Sequence, residues 1–176
     1  MLRDTTKQAK KRSGVSVAAL AATMAITALV SSAPARAEYF CAGAINGVYT
    51  AVSDGQWAKT REIYRLGVTV QSKWTIESSC QDFMLCTGNV VTDQGWSSPL
   101  ECKAGSWTVL REHPEWQRCP DGSTTPGEQR FSFFVDRTDR TRYRGSDRTV
   151  APSGGCGVNL PMTVELPFRL TPVAGP

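Results

Sequence analysis

The one histidine of the chain, His113, stands in Arg111-Glu112-His113-Pro114-Glu115-Trp116, and any proton transfer through an imidazole would have to use it. A serine hydrolase needs a nucleophile, such a base and a group that orients it. No Gly-x-Ser-x-Gly turn is present to raise a serine, and His113 in a charged stretch before a proline reads as an exposed loop residue. Cys156, in Gly154-Gly155-Cys156-Gly157, could serve as a thiol nucleophile only if it were reduced, and an even set of six cysteines in an exported chain reads as cystine. Zinc would need a cluster of Cys and His ligands. With no Cys-x-x-Cys pair and a single histidine, no metal and no cofactor are expected. Paired carboxylates for glycoside cleavage stay open, because any two acids can meet in space and the spacing selects no pair.

Two other groups of residues could recognise a ligand. Arg137, Arg140, Arg142, Arg144 and Arg148 are crowded into one stretch. Arg140, Arg142 and Arg144 alternate, so on a strand they would line one face and could hold a phosphate, a carboxylate or an anionic lipid. Asp136, Asp139 and Asp147 lie among them, and a salt-bridged, solvated hairpin is the plainer reading. The second group is aromatic. Of five tryptophans, Trp74 belongs to the dry face of a strand, whereas Trp57, Trp96 and Trp116 each follow a turn. The three would plug the ends of a barrel, or rim its mouth as ligand contacts.

The element that must carry this chemistry is the stretch 68–91. Val68, Val70, Trp74, Ile76 and Cys80 share one parity, and Thr69, Gln71, Lys73, Thr75 and Glu77 take the other. Successive strand side chains face opposite ways, so this is a strand with one dry face. Met84, Cys86 and Val90 suggest a returning strand, and Cys80 with Cys86 would close the hairpin. Further strands are expected over 44–52, 62–66, 107–110, 130–135 and 162–170, with Pro167 marking an edge or a bulge. The stretch Cys119-Pro120-Asp121-Gly122-Ser123-Thr124-Thr125-Pro126-Gly127 reads as a polar loop. About eight short strands with hairpin spacing and no amphipathic helix after residue 37 predict an all-β fold. An antiparallel meander barrel is the first expectation and a β-sandwich the alternative.

The first 37 residues have the parts of a secretory leader. Arg3, Lys7, Lys10, Lys11 and Arg12 make a positive end, 15–30 is an Ala-rich apolar run, and Ala35-Arg36-Ala37 offers a cleavage site. Membrane contact is expected only through this leader, if it stays uncleaved. The domain is then 38–176, with a loose tail. Six of 20 basic residues and one of 16 acidic residues fall in the leader, leaving 14 against 15. The basicity of the chain belongs to its export signal and gives no support for nucleic-acid binding. All six cysteines lie beyond the leader. The hairpin pairs Cys80 with Cys86, two Gly/Pro-rich loops pair Cys119 with Cys156, and Cys41 with Cys102 remains.

Several motifs resemble a family of small exported proteins of mycobacteria and related actinobacteria. They include Asn46-Gly47-Val48-Tyr49, Trp57-Ala58-Lys59-Thr60, Trp74-Thr75-Ile76, Cys86-Thr87-Gly88 and Asp93-Gln94-Gly95-Trp96. Cys119-Pro120-Asp121-Gly122, Pro152 through Asn159, and Pro167-Phe168-Arg169-Leu170 extend the likeness over nearly the whole domain. The resemblance implies export and carries no catalytic residues. The expected function is therefore a non-enzymatic, secreted or cell-envelope domain that binds an envelope lipid, glycan or protein. The alternatives are an envelope-acting hydrolase using paired carboxylates, or a protein-partner or inhibitor domain using the 119–127 loop.

Overall fold

The structure, a computed structural model, describes residues 40–173. The expected leader, 1–37, lies outside the described residues, as do the last three positions. Among the described residues ten strands follow in order: β1 (Gly47–Ser53), β2 (Lys59–Thr60), β3 (Ile63–Tyr64), β4 (Val70–Cys80) and β5 (Leu85–Thr92) come first. They are followed by β6 (Ser97–Lys103), β7 (Ser106–Arg118), β8 (Thr124–Val135), β9 (Tyr143–Val150) and β10 (Thr163–Pro172). β1 and β4 to β10 form an antiparallel meander that closes when β10 pairs with β1, from Tyr49↔Pro172 to Ser53↔Phe168. The expected barrel is the observed fold. β2 and β3 are a side excursion in the connection from β1 to β4, and β2 hydrogen-bonds to β10.

The alternation read in β4 sets its faces. Ser72, Trp74 and Ile76 point inward and are buried, while Gln71, Lys73, Thr75 and Glu77 are exposed. The dry face is shorter than the sequence suggests. Val68 is 81% exposed and Val70 45%, because they arrive from the excursion, beyond the closed part of the barrel. Trp74 is the centre of the core. Its indole meets Phe131 edge-on at 4.9 Å between centroids, lies 5.2 Å from Phe168 and 6.4 Å from Phe133, and donates to Ser72 Oγ at 3.0 Å. Aromatic pairs at such angles add to area burial.

One end of the barrel is sealed. Leu100 and Cys102 of β6, Trp107 and Val109 of β7, Phe133 of β8 and Leu170 of β10 are almost wholly buried. The segment before β1 covers them. Cys41 is bonded to Cys102, Ile45 is 2% exposed, and the Ile45 N–H donates to Ser78 Oγ, which donates back to the Ile45 carbonyl. The other two disulfides are Cys80–Cys86, across the β4–β5 hairpin, and Cys119–Cys156, between loops at the opposite end.

Four local expectations are corrected. β7 does not stop near Leu110 but runs to Arg118, so His113 lies in a strand rather than in an exposed loop. A bulge between His113 and Gln117 interrupts its ladder with β8 at Pro114, where an N–H would have no partner. The 119–127 loop is really only 119–123, since Thr124 begins β8 and Gly127 pairs with His113. Arg140 and Arg142 lie in the loop before β9, which starts at Tyr143, so the three alternating arginines do not share a strand face. Finally, β10 runs through Thr171 and Pro172, and the Val173 N–H donates to the Val48 carbonyl, so the described part of the tail is held. Pro167 sits where a local edge was expected. Its carbonyl accepts from the Asp54 N–H, on the side where β1 ends and β2 has not begun.

Candidate functional site: a cavity in the open end of the barrel

The inward-facing residues change character at one height. On β7 the inward row is Trp107, Val109, Arg111, His113; on β8, taken the same way, it is Phe133, Phe131, Gln129, Gly127. The rows Tyr143, Gly145, Asp147, Thr149 of β9 and Tyr49, Ala51, Ser53 of β1 change likewise from ring or small residue to polar. The register brings Arg111 level with Gln129 and Gln129 level with Thr149, while Asp147 lies one inward step away, opposite Phe131 on β8 and Leu166 on β10. Below that height the bore is packed. Above it lies a cavity of about 500 Å³.

The polar groups form a relay across four strands. Ser53 Oγ on β1 donates to Asp147 Oδ2 on β9 at 2.7 Å, and Gln129 Nε2 on β8 donates to Asp147 Oδ1 at 2.8 Å. Gln129 Oε1 then faces His113 Nε2 on β7 at 3.2 Å. An amide oxygen only accepts, so this nitrogen carries the proton. Asp147 is 3% exposed, which corrects its assignment to a solvated charged hairpin. Burial raises its carboxyl above the ordinary range, opposed by the hydrogen bonds from Ser53 and Gln129 and by the charge of Arg111. Burial lowers His113, the Arg111 charge lowers it further, and the Gln129 contact opposes both.

Arg111 is the cation of the cavity. Its guanidinium lies over the Trp96 ring at 4.8 Å, and Trp96 stacks nearly parallel to Phe131, with 10° between planes. Burial lowers its pKa and the Asp147 charge raises it. Among the described residues Arg111 has no ion pair and donates no side-chain hydrogen bond, so its N–H edges remain available to the cavity. Trp116, Val68, Val70, Val164 and Leu166 complete the walls. Gly127 admits the Trp116 indole against its backbone, since a Cβ there would come within 2.8 Å of the ring.

Of the residues singled out from the sequence, Trp96 and Trp116 come together at this mouth. Trp57 does not; it is 60% exposed on the excursion, edge-on to Tyr64. Arg144 is exposed and stacks over Phe134, and Arg142 pairs with Asp139 at 3.0 Å. Arg140 shares that exposed 136–142 loop. Asp147 is the one carboxyl lining the cavity, so no acid pair is assembled there. Sequence reasoning missed Arg111, Gln129, Asp147 and Ser53. The signal was the parity of β7 and β8, where apolar inward positions give way to polar ones before either strand ends.

No family model matches the chain, and no curated protein does. Among solved structures, the monomer form of the PknI sensor domain of M. tuberculosis is similar, with a TM-score of 0.53 at 10% sequence identity. The match covers 74% of this chain and 88% of that one. At this identity the likeness is one of fold.

Proposed function

We propose that this protein is an exported, non-enzymatic barrel domain that takes up a small ligand from the cell envelope, lipid or glycan, in the open end of its bore. The observation that carries the reading is the half-filled interior. Rings and aliphatic side chains could have closed the bore at both ends, yet a polar relay and a guanidinium line a cavity with one end sealed. Buried polar groups cost free energy unless they are satisfied or used, and concave, largely apolar sites with a few convergent polar groups are where small molecules bind. Three disulfides fit an oxidising compartment outside the cytoplasm. That the similar fold belongs to a sensor domain supports a recognition role over a catalytic one. Removal of the leader 1–37 and secretion of 38–176 as one domain are part of the proposal.

The test is native mass spectrometry on protein purified from its own host, paired with tryptophan emission on adding envelope extract. A retained non-covalent adduct, or a shift in emission that Trp96→Phe reduces, is expected. Bare polypeptide mass with unchanged emission would sink the reading.

A further inference from the structure

The charges facing the cavity are unequal in what they offer a ligand. Asp147 is 3% exposed, and each of its oxygens already accepts from a protein donor. His113 is held toward its neutral form by burial and by Arg111. Arg111 alone presents a charge to the open space, one flat face covered by Trp96 and its N–H edges uncommitted. A guanidinium so oriented matches the two oxygens of a carboxylate or phosphate, and partial desolvation strengthens such a pair. The remaining walls, Trp116, Phe131, Val68 and Leu166, suit an apolar body.

Resting on the cavity-binding reading above, we propose that the ligand is an amphipathic oxyanion, its carboxylate or phosphate on Arg111 and its apolar body against the rings of the cavity. The volume of about 500 Å³ and the sealed end limit the part that can be enclosed. Both an aromatic acid and the acid end of an acyl chain satisfy this chemistry. The relay has a supporting part. With Oδ2 of Asp147 occupied by Ser53 and Oδ1 by Gln129, the carboxyl is held on the wall and makes no ion pair with Arg111.

The experiment uses the disulfide-intact protein, and four probes: 2-naphthoate, its neutral counterpart 2-naphthylmethanol, cis-parinarate as a fluorescent acyl acid, and cellobiose. Binding is followed by calorimetry and tryptophan quenching for wild type, Arg111→Gln and Arg111→Lys. At least one acid is expected to bind about tenfold or more tighter than the alcohol, each bidentate charged pair being a discrimination of that order. Arg111→Gln should lose that preference while binding the alcohol as before, and Arg111→Lys should keep part of it. Which acid binds distinguishes an aromatic from an acyl source. Equal affinity for acid and alcohol, or a preference that survives Arg111→Gln, overturns the oxyanion and leaves the cavity reading standing. Cellobiose binding that is indifferent to Arg111 replaces the anion with a glycan. If none of the four binds and envelope extract also leaves no adduct, both readings fall. Far-ultraviolet circular dichroism and thermal melting of both variants separate loss of binding from loss of fold.

Discussion

Asp147 and His113 give the cavity opposite responses to acid. The folded carboxyl of Asp147 titrates above its unfolded value of 3.8, so between those two values the folded protein holds the extra proton. Its contribution to stability is greatest in acid and falls as pH rises through that window. His113 titrates below 6.5 when folded, so between its folded value and 6.5 the unfolded chain holds more protons, and stability is lost as pH falls. Thermal melts over a pH series should therefore show Asp147→Asn losing the acid-side gain. Relative to that variant, wild type improves on going from about pH 7 to about pH 4. His113→Gln should flatten the profile just below about pH 6.5. A parallel pair of curves for wild type and Asp147→Asn would show that the carboxyl titrates as in an unfolded chain. None of this was legible at the residue scale from the sequence. Asp147 stands in a run with Asp136, Asp139 and five arginines, and composition alone assigns it to water. Only strand parity separates it. Asp136 and Asp139 are half-buried in a loop where they accept from Thr138 and Thr141, while Asp147 points into the bore.

At the scale of elements, the cross-links differ in the length of chain they close. Cys41–Cys102 spans 61 positions and Cys80–Cys86 only 6. In the chain-entropy model the long bridge contributes about 4 kcal/mol and the short one about 2 kcal/mol. Denaturant unfolding of the Cys41→Ala/Cys102→Ala and Cys80→Ala/Cys86→Ala variants should separate by about 2 kcal/mol in that order. The bulge of β7 supplies a second prediction. A methyl at Gly127 would come within 2.8 Å of both the Trp116 ring and Thr149 Cγ2. Gly127→Ala should cost about 1–3 kcal/mol by overpacking and alter the near-ultraviolet circular dichroism through Trp116. An unchanged spectrum and melting point would mean the indole has room to move away. β4 and the Cys80–Cys86 bridge were legible because alternation and hairpin spacing are local, whereas Cys119–Cys156 rested on two turn-rich loops and Cys41–Cys102 on the two cysteines left over. β7 was read short because His113-Pro114 looks like a terminus, and a bulge that tolerates proline is set by the partner strand.

For the whole molecule, closure was foreseeable from short connections between strands of alternating pattern. The half-empty bore was not. Filling depends on how far each strand is staggered against its neighbour, and that stagger decides which inward side chains share a level. Tyr49 opposite Trp74, and Trp107 opposite Phe133, place rings in the sealed half; a shift of two residues would put Arg111 among them. Unfolded, unreduced protein collected after export should show no free sulfhydryl and a mass beginning at Glu38. Reactive thiols would contradict the pairing, and a retained leader would contradict the cleavage. The blind bottom sealed by Cys41, Ile45 and Cys102 turns the bore into a cup rather than a conduit. On the proposed reading a guest leaves by the doorway it entered, past Val68 and Trp116, and any protein or surface resting on that doorway would set how long it stays.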